Sequence, residues 1–251
     1  MSAIRLGVLV LVAAQTCCAA FAQPIAAPPH APAGSQPFVP PPDSPSANLP
    51  SPPGHHYYVT IFGSGQNPLR FRRTHTFATI THLQETPDGP VVENSTISWM
   101  PATLNIRPFA LRPERGVNLT QEESLRWAES KGLRTSVWGP FEIPERRYYL
   151  YMARKAELES GEFAYRATGA WREGQPVSNC GQSFSRVTTA GQYYVQPTPF
   201  PGEQGTSVLV DRMVRYAINP LIEYPEVRPL VVDPSAAVIH RQPGQRVPRF
   251  R

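Results

Sequence analysis

Short runs rich in β-branched and aromatic residues dominate the chain after residue 54 and indicate β-strands. They predict strands at residues 57–62, 74–83 and 91–99. The second and third runs are joined by Pro87-Asp88-Gly89-Pro90, whose composition is that of a turn, so we expect them to form a hairpin. Shorter extended segments are predicted at residues 104–111, 134–141 and 163–167.

Helix signals lie between and after these strands. Thr120-Gln121-Glu122-Glu123 is a capping box, and Pro144 suits the first turn of a helix. Ser178 is a good N-cap residue and predicts a third helix that begins directly after it. Strands and helices grouped in this way predict an α+β fold, in which an antiparallel sheet packs with helices. The four predicted helices cover residues 121–132, 145–160, 179–191 and 206–217.

The first 22 residues have the pattern of a signal peptide. Arg5 precedes a short apolar run, and Ala20-Phe21-Ala22 provides a small-x-small cleavage site. The apolar run is too short to cross a bilayer, and no later run reaches the necessary length, so no transmembrane helix is predicted. We therefore expect a periplasmic or secreted protein, with a lipoprotein anchor at Cys17 or Cys18 as the alternative.

Composition divides the rest of the chain into three parts. Residues 23–54 hold 12 of the 30 prolines and one charged residue, so this segment is predicted to be an extended, disordered linker. It is either a tether or a leader with no specific partner. Residues 55–232 have the length of one ordinary domain, and residues 233–251 are predicted to be a basic, flexible tail.

The charge is basic without being concentrated. The formal net charge is +5, and nearly all of the basic residues are arginines scattered along the chain. Nucleic-acid binding requires a basic stripe interleaved with aromatic residues, so no nucleic-acid partner is predicted. The charge supports, at most, a mild attraction to anionic polymers of the cell envelope.

Removal of the signal peptide would leave Cys180 as the one cysteine of the chain. An exported protein normally pairs its cysteines, so a single one is either a reactive thiol or a buried structural one. The predicted helix start at Ser178 places Cys180 in a first turn, where N–H groups and the helix dipole lower the pKa of a thiol. We favour a reactive nucleophile, with the buried thiol as the alternative.

His75 is the candidate base for this nucleophile. Strand alternation places its side chain on the face opposite to that of His82. Nearby arginines are expected to lower its pKa and keep it neutral. On the next strand, Glu93 or Ser95 is the candidate third residue that would orient the imidazole. No metal or cofactor is predicted because the histidines are dispersed, although a zinc site would use the same His75, Glu93 and Cys180.

The order of these residues resembles the circularly permuted papain-like enzymes of the NlpC/P60 superfamily. In that group the histidine strand precedes the cysteine helix, which often begins with an Asn-Cys pair. More narrowly, the chain is similar over residues 58–187 to an uncharacterised bacterial family of exported proteins, in which a histidine often stands where this chain has Ser95. The motifs that carry the narrower similarity are His75-Thr76-Phe77-Ala78, Thr96-Ile97-Ser98-Trp99-Met100-Pro101, Trp138-Gly139-Pro140-Phe141-Glu142-Ile143 and Val177-Ser178-Asn179-Cys180.

The resemblance implies a permuted papain-like arrangement and chemistry at an amide, ester or thioester bond. Cys180 would attack the carbonyl, and His75 would protonate the leaving group. A cell-wall peptide or a lipid acyl group would be the substrate of such an exported hydrolase or acyltransferase. Two alternatives stay open: a catalytically inactive version that binds the same ligands, and a tethered scaffold that contacts its partners through the linker and the tail.

Overall fold

The computed structural model describes residues 52–66, 71–169, 175–185, 202–214, 217–219, 222–245 and 247. The predicted signal peptide and nearly all of the predicted linker lie outside these ranges. In chain order, the strands are β1 His55–Gly65, β2 His75–Thr86, β3 Gly89–Ile97, β4 Trp99–Pro101, β5 Glu114–Asn118, β6 Arg134–Glu142, β7 Ala164–Tyr165, β8 Val177–Ser178 and β9 Val238–Arg241. The α-helices are α1 Gln121–Ser130, α2 Glu145–Glu159, α3 Cys180–Ser185, α4 Gly202–Met213 and α5 Arg228–Val231.

The central sheet has the order β3-β2-β1-β6-β9. Its first four strands are antiparallel, and β9 joins the edge of β6 in parallel. The turn after Thr86 closes the predicted β2–β3 hairpin and pairs Ile80 with Ser95. The fold is therefore α+β, as predicted, with antiparallel sheet packed against helices.

A smaller sheet of four short strands, in the order β4-β5-β7-β8, lies beside the central one. β4 and β5 pair antiparallel, and so do β5 and β7, whereas β7 and β8 pair in parallel. This last pair sets Tyr165 beside Ser178, directly before helix α3.

Side chains alternate between two buried faces of the central sheet. The front face of β2 carries Ala78 and Ile80, which pack in one core cluster with Phe184 of α3 and Leu209 of α4. The back face carries Phe77, which packs with Phe62, Val137 and residues from Val227 to Val232. Because successive side chains of a strand point to opposite faces, Ala78 and Ile80 of β2 join the front cluster and Phe77 and Leu83 join the back one.

Residues 233–245 and Val247 are part of the fold, which corrects the prediction of a flexible tail over this part of residues 233–251. Strand β9 extends the central sheet, and the Arg241 guanidinium donates to the buried Glu203 carboxylate at 2.9 Å. Val247 is also buried, in the front-face cluster. A buried carboxylate requires a buried cation, and this arginine supplies it from within the predicted tail.

Local signals account for most of the correct element predictions. The capping box of α1 is confirmed, since Glu123 N–H donates to Thr120 Oγ1 and Thr120 N–H donates to Glu123 Oε2. The predicted strand at 104–111 is wrong, because Ile106 is the only fully buried residue of that segment and the strand forms later, at β5. Among the described helices, none has the length and apolar character needed to cross a membrane.

Candidate functional site

Helix α3 begins at Cys180, but its N-cap is Asn179 rather than the predicted Ser178. The Asn179 side-chain oxygen accepts the backbone N–H of Gln182 at 2.8 Å, as an N-cap residue does. The Gln182 side chain in turn accepts the N–H of Asn179 at 3.4 Å. The helix therefore starts one residue later than predicted by the Ser178 cap, and Cys180 is its first residue.

The Cys180 thiol is not activated by this position. Burial raises its pKa, and the opposing effect of the backbone N–H groups of Thr76, Gly181 and Cys180 does not outweigh it. Tyr165 lies close enough to interact with Cys180, and its own pKa is raised well above its ordinary value by burial and then by Cys180 and Glu114. At neutral pH the thiol is therefore protonated and lies beside a protonated phenol.

A buried arginine holds the segment around Cys180 in place. Arg154 of α2 is 7% exposed, and its Nε donates to the Ser183 carbonyl at 3.0 Å. Its Nη2 donates to Ser178 Oγ at 3.4 Å, and its guanidinium lies 4.5 Å from the centre of the Phe163 ring. These contacts connect α2 to β8 and to the last turn of α3, so the arginine has a structural role that the sequence pattern did not reveal.

His75 is fully buried on the back face of the sheet. Its Nε2 lies 2.7 Å from Ser98 Oγ, and its ring packs against Phe77 and Trp127. Burial lowers its pKa from 6.5 to about 3. The pKa of His75 is lowered, as predicted from the nearby arginines, but the cause is different. Arg72 and Arg73 are exposed, whereas the imidazole is enclosed by apolar groups.

Serine hydroxyls join His75 to helix α1. His75 Nε2 lies 2.7 Å from Ser98 Oγ, and Ser124 Oγ is placed to donate to Ser98 Oγ and to the Thr120 carbonyl, each at 2.7 Å. Among the described residues, His75 Nδ1 is buried without a hydrogen-bond partner. The imidazole is neutral at pH 7 because burial lowers its pKa to about 3.

The structure does not bring Cys180 and His75 together. Helix α3 packs on the front face through Phe184, whereas the His75 ring lies on the back face with Phe77. No hydrogen bond or ion pair between these two side chains occurs among the described residues. The Cys180 thiol instead contacts the backbone N–H of Thr76, the residue that follows His75 on β2. The sheet itself separates the predicted nucleophile from the predicted base.

Glu93 and Ser95 also lie away from His75, because the hairpin register places them on the front face. Ser95 is opposite Ile80, and Glu93 is opposite His82. His82 Nδ1 lies 3.5 Å from Glu93 Oε2, and His82 Nε2 lies 2.9 Å from His55 Nδ1. Of the two histidines on β2, the one that pairs with a carboxylate is thus His82, six residues along the strand from Thr76 and roughly 20 Å from the thiol.

The alternative zinc site is not assembled from these residues. His75 occupies the back face, Glu93 lies at the distal end of the hairpin, and Cys180 lies at the start of α3. Within the described ranges, no group of three or more His, Cys, Asp or Glu side chains is placed to hold a metal ion.

Comparison of the chain with protein-family models, with curated proteins and with solved structures finds no match in any of the three.

Proposed function

We propose that the protein is an exported envelope protein that acts by binding, and that Cys180 does not serve as the nucleophile of a cysteine hydrolase. The observation that carries this proposal is the position of His75 on the opposite face of the sheet from helix α3. A cysteine hydrolase requires an imidazole within hydrogen-bond reach of its thiol. The hydrolase or acyltransferase that the sequence resemblance implies is the alternative that experiment must distinguish.

The electrostatics of the two groups support the proposal. A nucleophilic cysteine needs a lowered pKa, and burial raises that of Cys180. A catalytic histidine must accept and release a proton near neutral pH, and burial lowers the pKa of His75 to about 3. The pKa of each group is therefore shifted away from the value that a catalytic Cys180–His75 pair would need.

The signal peptide and the proline-rich linker predicted from the sequence support the envelope location. A linker of this composition would hold a domain at a distance from its attachment point. The ligand class follows from that location: a component of the wall or of the membrane, bound without covalent chemistry at Cys180.

Sedimentation with isolated bacterial envelopes tests this proposal. The chain from residue 23 onward should sediment with the envelope fraction, and Cys180→Ser should bind with an affinity within about twofold of the wild type, because the thiol makes no essential contact. Mass spectrometry of the recovered protein should show an unmodified Cys180. An acyl adduct on Cys180, or loss of binding in Cys180→Ser while the variant remains folded, would overturn the proposal.

A further inference from the structure

The loop of residues 102–113, which joins β4 to β5, presents two apolar side chains directly to solvent. Phe109 is 85% exposed and Leu111 is 86% exposed, whereas no other large apolar side chain in the described ranges exceeds 49%. Single exposed apolar residues are common on protein surfaces, but two large ones at the tip of one loop indicate a surface that a binding partner covers.

The base of this loop is held firmly by the core. Ile106 is 4% exposed and packs in a cluster with Met100 and Trp127. Trp127 Nε1 donates to the Leu104 carbonyl at 3.2 Å, and Leu104 adopts a positive φ of 52°. The antiparallel pairing of β4 with β5 fixes both ends. The exposure of the tip is therefore imposed by an anchored loop, which would bind a partner without a large ordering cost.

Positively charged residues lie close to the two apolar residues in the sequence. Arg107, Arg112 and Arg115 are exposed, and their side chains make no hydrogen bond or ion pair with any described residue. Glu114 is the one acidic residue between positions 102 and 118, and its carboxylate accepts a hydrogen bond from Thr103 Oγ1 at 2.8 Å. Three unpaired guanidinium groups therefore flank the exposed phenylalanine and leucine.

We propose that the 102–113 loop docks the domain onto an anionic phospholipid bilayer. Phe109 and Leu111 enter the boundary between headgroups and acyl chains, and the arginines pair with lipid phosphates. Interfacial membrane binding combines burial of apolar side chains with attraction of cations to anionic lipids, and guanidinium groups bind phosphate in a bidentate manner. This inference rests on the proposed function, because it names the envelope component that the domain binds.

Vesicle co-sedimentation tests the loop with the chain from residue 23 onward. The wild type should bind vesicles of phosphatidylglycerol mixed with phosphatidylcholine, and binding should weaken as salt is raised. The double variant Phe109→Ser/Leu111→Ser should lower the partition coefficient at least about tenfold. The triple variant Arg107→Gln/Arg112→Gln/Arg115→Gln should lower it by on the order of 100-fold, since each cation near an anionic surface contributes about a factor of five.

A matched control removes exposed apolar residues elsewhere. Val91 and Ile222 are 49% and 45% exposed and lie outside the loop. Val91→Ser/Ile222→Ser should therefore leave the partition coefficient within about twofold of the wild type. Circular dichroism of every variant checks that the fold is retained.

The outcomes separate this inference from the proposed function. Absence of wild-type binding to anionic vesicles, or an equal loss in the control and the loop variants, overturns the docking of the loop on lipid. If the protein then still sediments with wall material, the proposed function stands and its ligand is a wall polymer. An acyl adduct on Cys180 overturns the proposed function and leaves the vesicle result unaffected.

Discussion

Glu203→Gln is expected to destabilise the fold by about 3–5 kcal/mol, because it leaves a buried arginine without its counter-charge. The Glu203 side chain is 1% exposed and that of Arg241 is 8% exposed. Arg134 Nε donates to Glu203 at 3.0 Å, Arg241 Nη2 donates to it at 2.9 Å, and Ser136 Oγ also donates to it. One carboxylate thus connects α4 to both β6 and β9.

Urea unfolding at neutral pH measures this effect. Glu122→Gln is the matched control, since Glu122 is 80% exposed and lies 3.7 Å from Arg126. Exposed pairs of this kind contribute little, so the control should change the free energy of unfolding by no more than about 0.5 kcal/mol. A loss below about 1 kcal/mol in Glu203→Gln would show that the Arg134–Glu203–Arg241 network does not hold β9 in the sheet.

The buried imidazole of His75 is expected to make the protein lose stability in acid. Its pKa falls from 6.5 to about 3 on folding. Between these values the unfolded chain binds a proton that the folded chain does not, so stability is complete above pH 6.5 and is lost as the pH falls toward 3. The full shift corresponds to on the order of 4–5 kcal/mol, of which about 3 kcal/mol is lost between pH 7 and pH 4.

Comparison of variants isolates this contribution from those of other acid-titrating groups. His75→Gln and His75→Asn cannot take up the proton, so each should lose about 3 kcal/mol less than the wild type between pH 7 and pH 4. Urea unfolding at the two pH values gives the difference directly, whatever the stability of each variant at pH 7. Equal losses in wild type and variants would mean that the imidazole is accessible to protons in the folded state.

Sequence reasoning succeeded where the signal is local. The β2–β3 turn is marked by proline and glycine, and the capping box at Thr120 satisfies N–H groups within the same helix turn. These signals depend on residues a few positions apart. The alternation of His75 and His82 between faces is local in the same sense, and it is also correct.

The candidate site depended on contacts that no local pattern contains. Strand alternation shows that His75 and His82 face opposite sides, but the side on which α3 packs is decided by Phe184 and the core it joins. The register of the hairpin places Glu93 opposite His82 on the front face, and a shift by one residue would place the Glu93 side chain on the back face. Tyr165 and Arg154 define the surroundings of Cys180. Neither gave a recognisable signal in the sequence, because each looks like an ordinary core or surface residue.

The tail was misjudged for a similar reason. Residues 233–251 are rich in arginine and proline, a composition typical of a solvated segment. Arg241 is nevertheless buried, because its partner Glu203 lies 38 residues earlier in the chain. A charged side chain is buried only when it forms an ion pair with an opposite charge, and the sequence does not show which charged residues pair.

The rate of Cys180 alkylation as a function of pH shows whether this thiol is an activated nucleophile, because no other cysteine remains after residue 22. We expect slow alkylation at neutral pH, a midpoint above the value of about 8.5 for an exposed cysteine, and the same profile in His75→Gln. Fast alkylation near pH 6 in the wild type that disappears in a folded His75→Gln would contradict the account and establish a Cys180–His75 dyad.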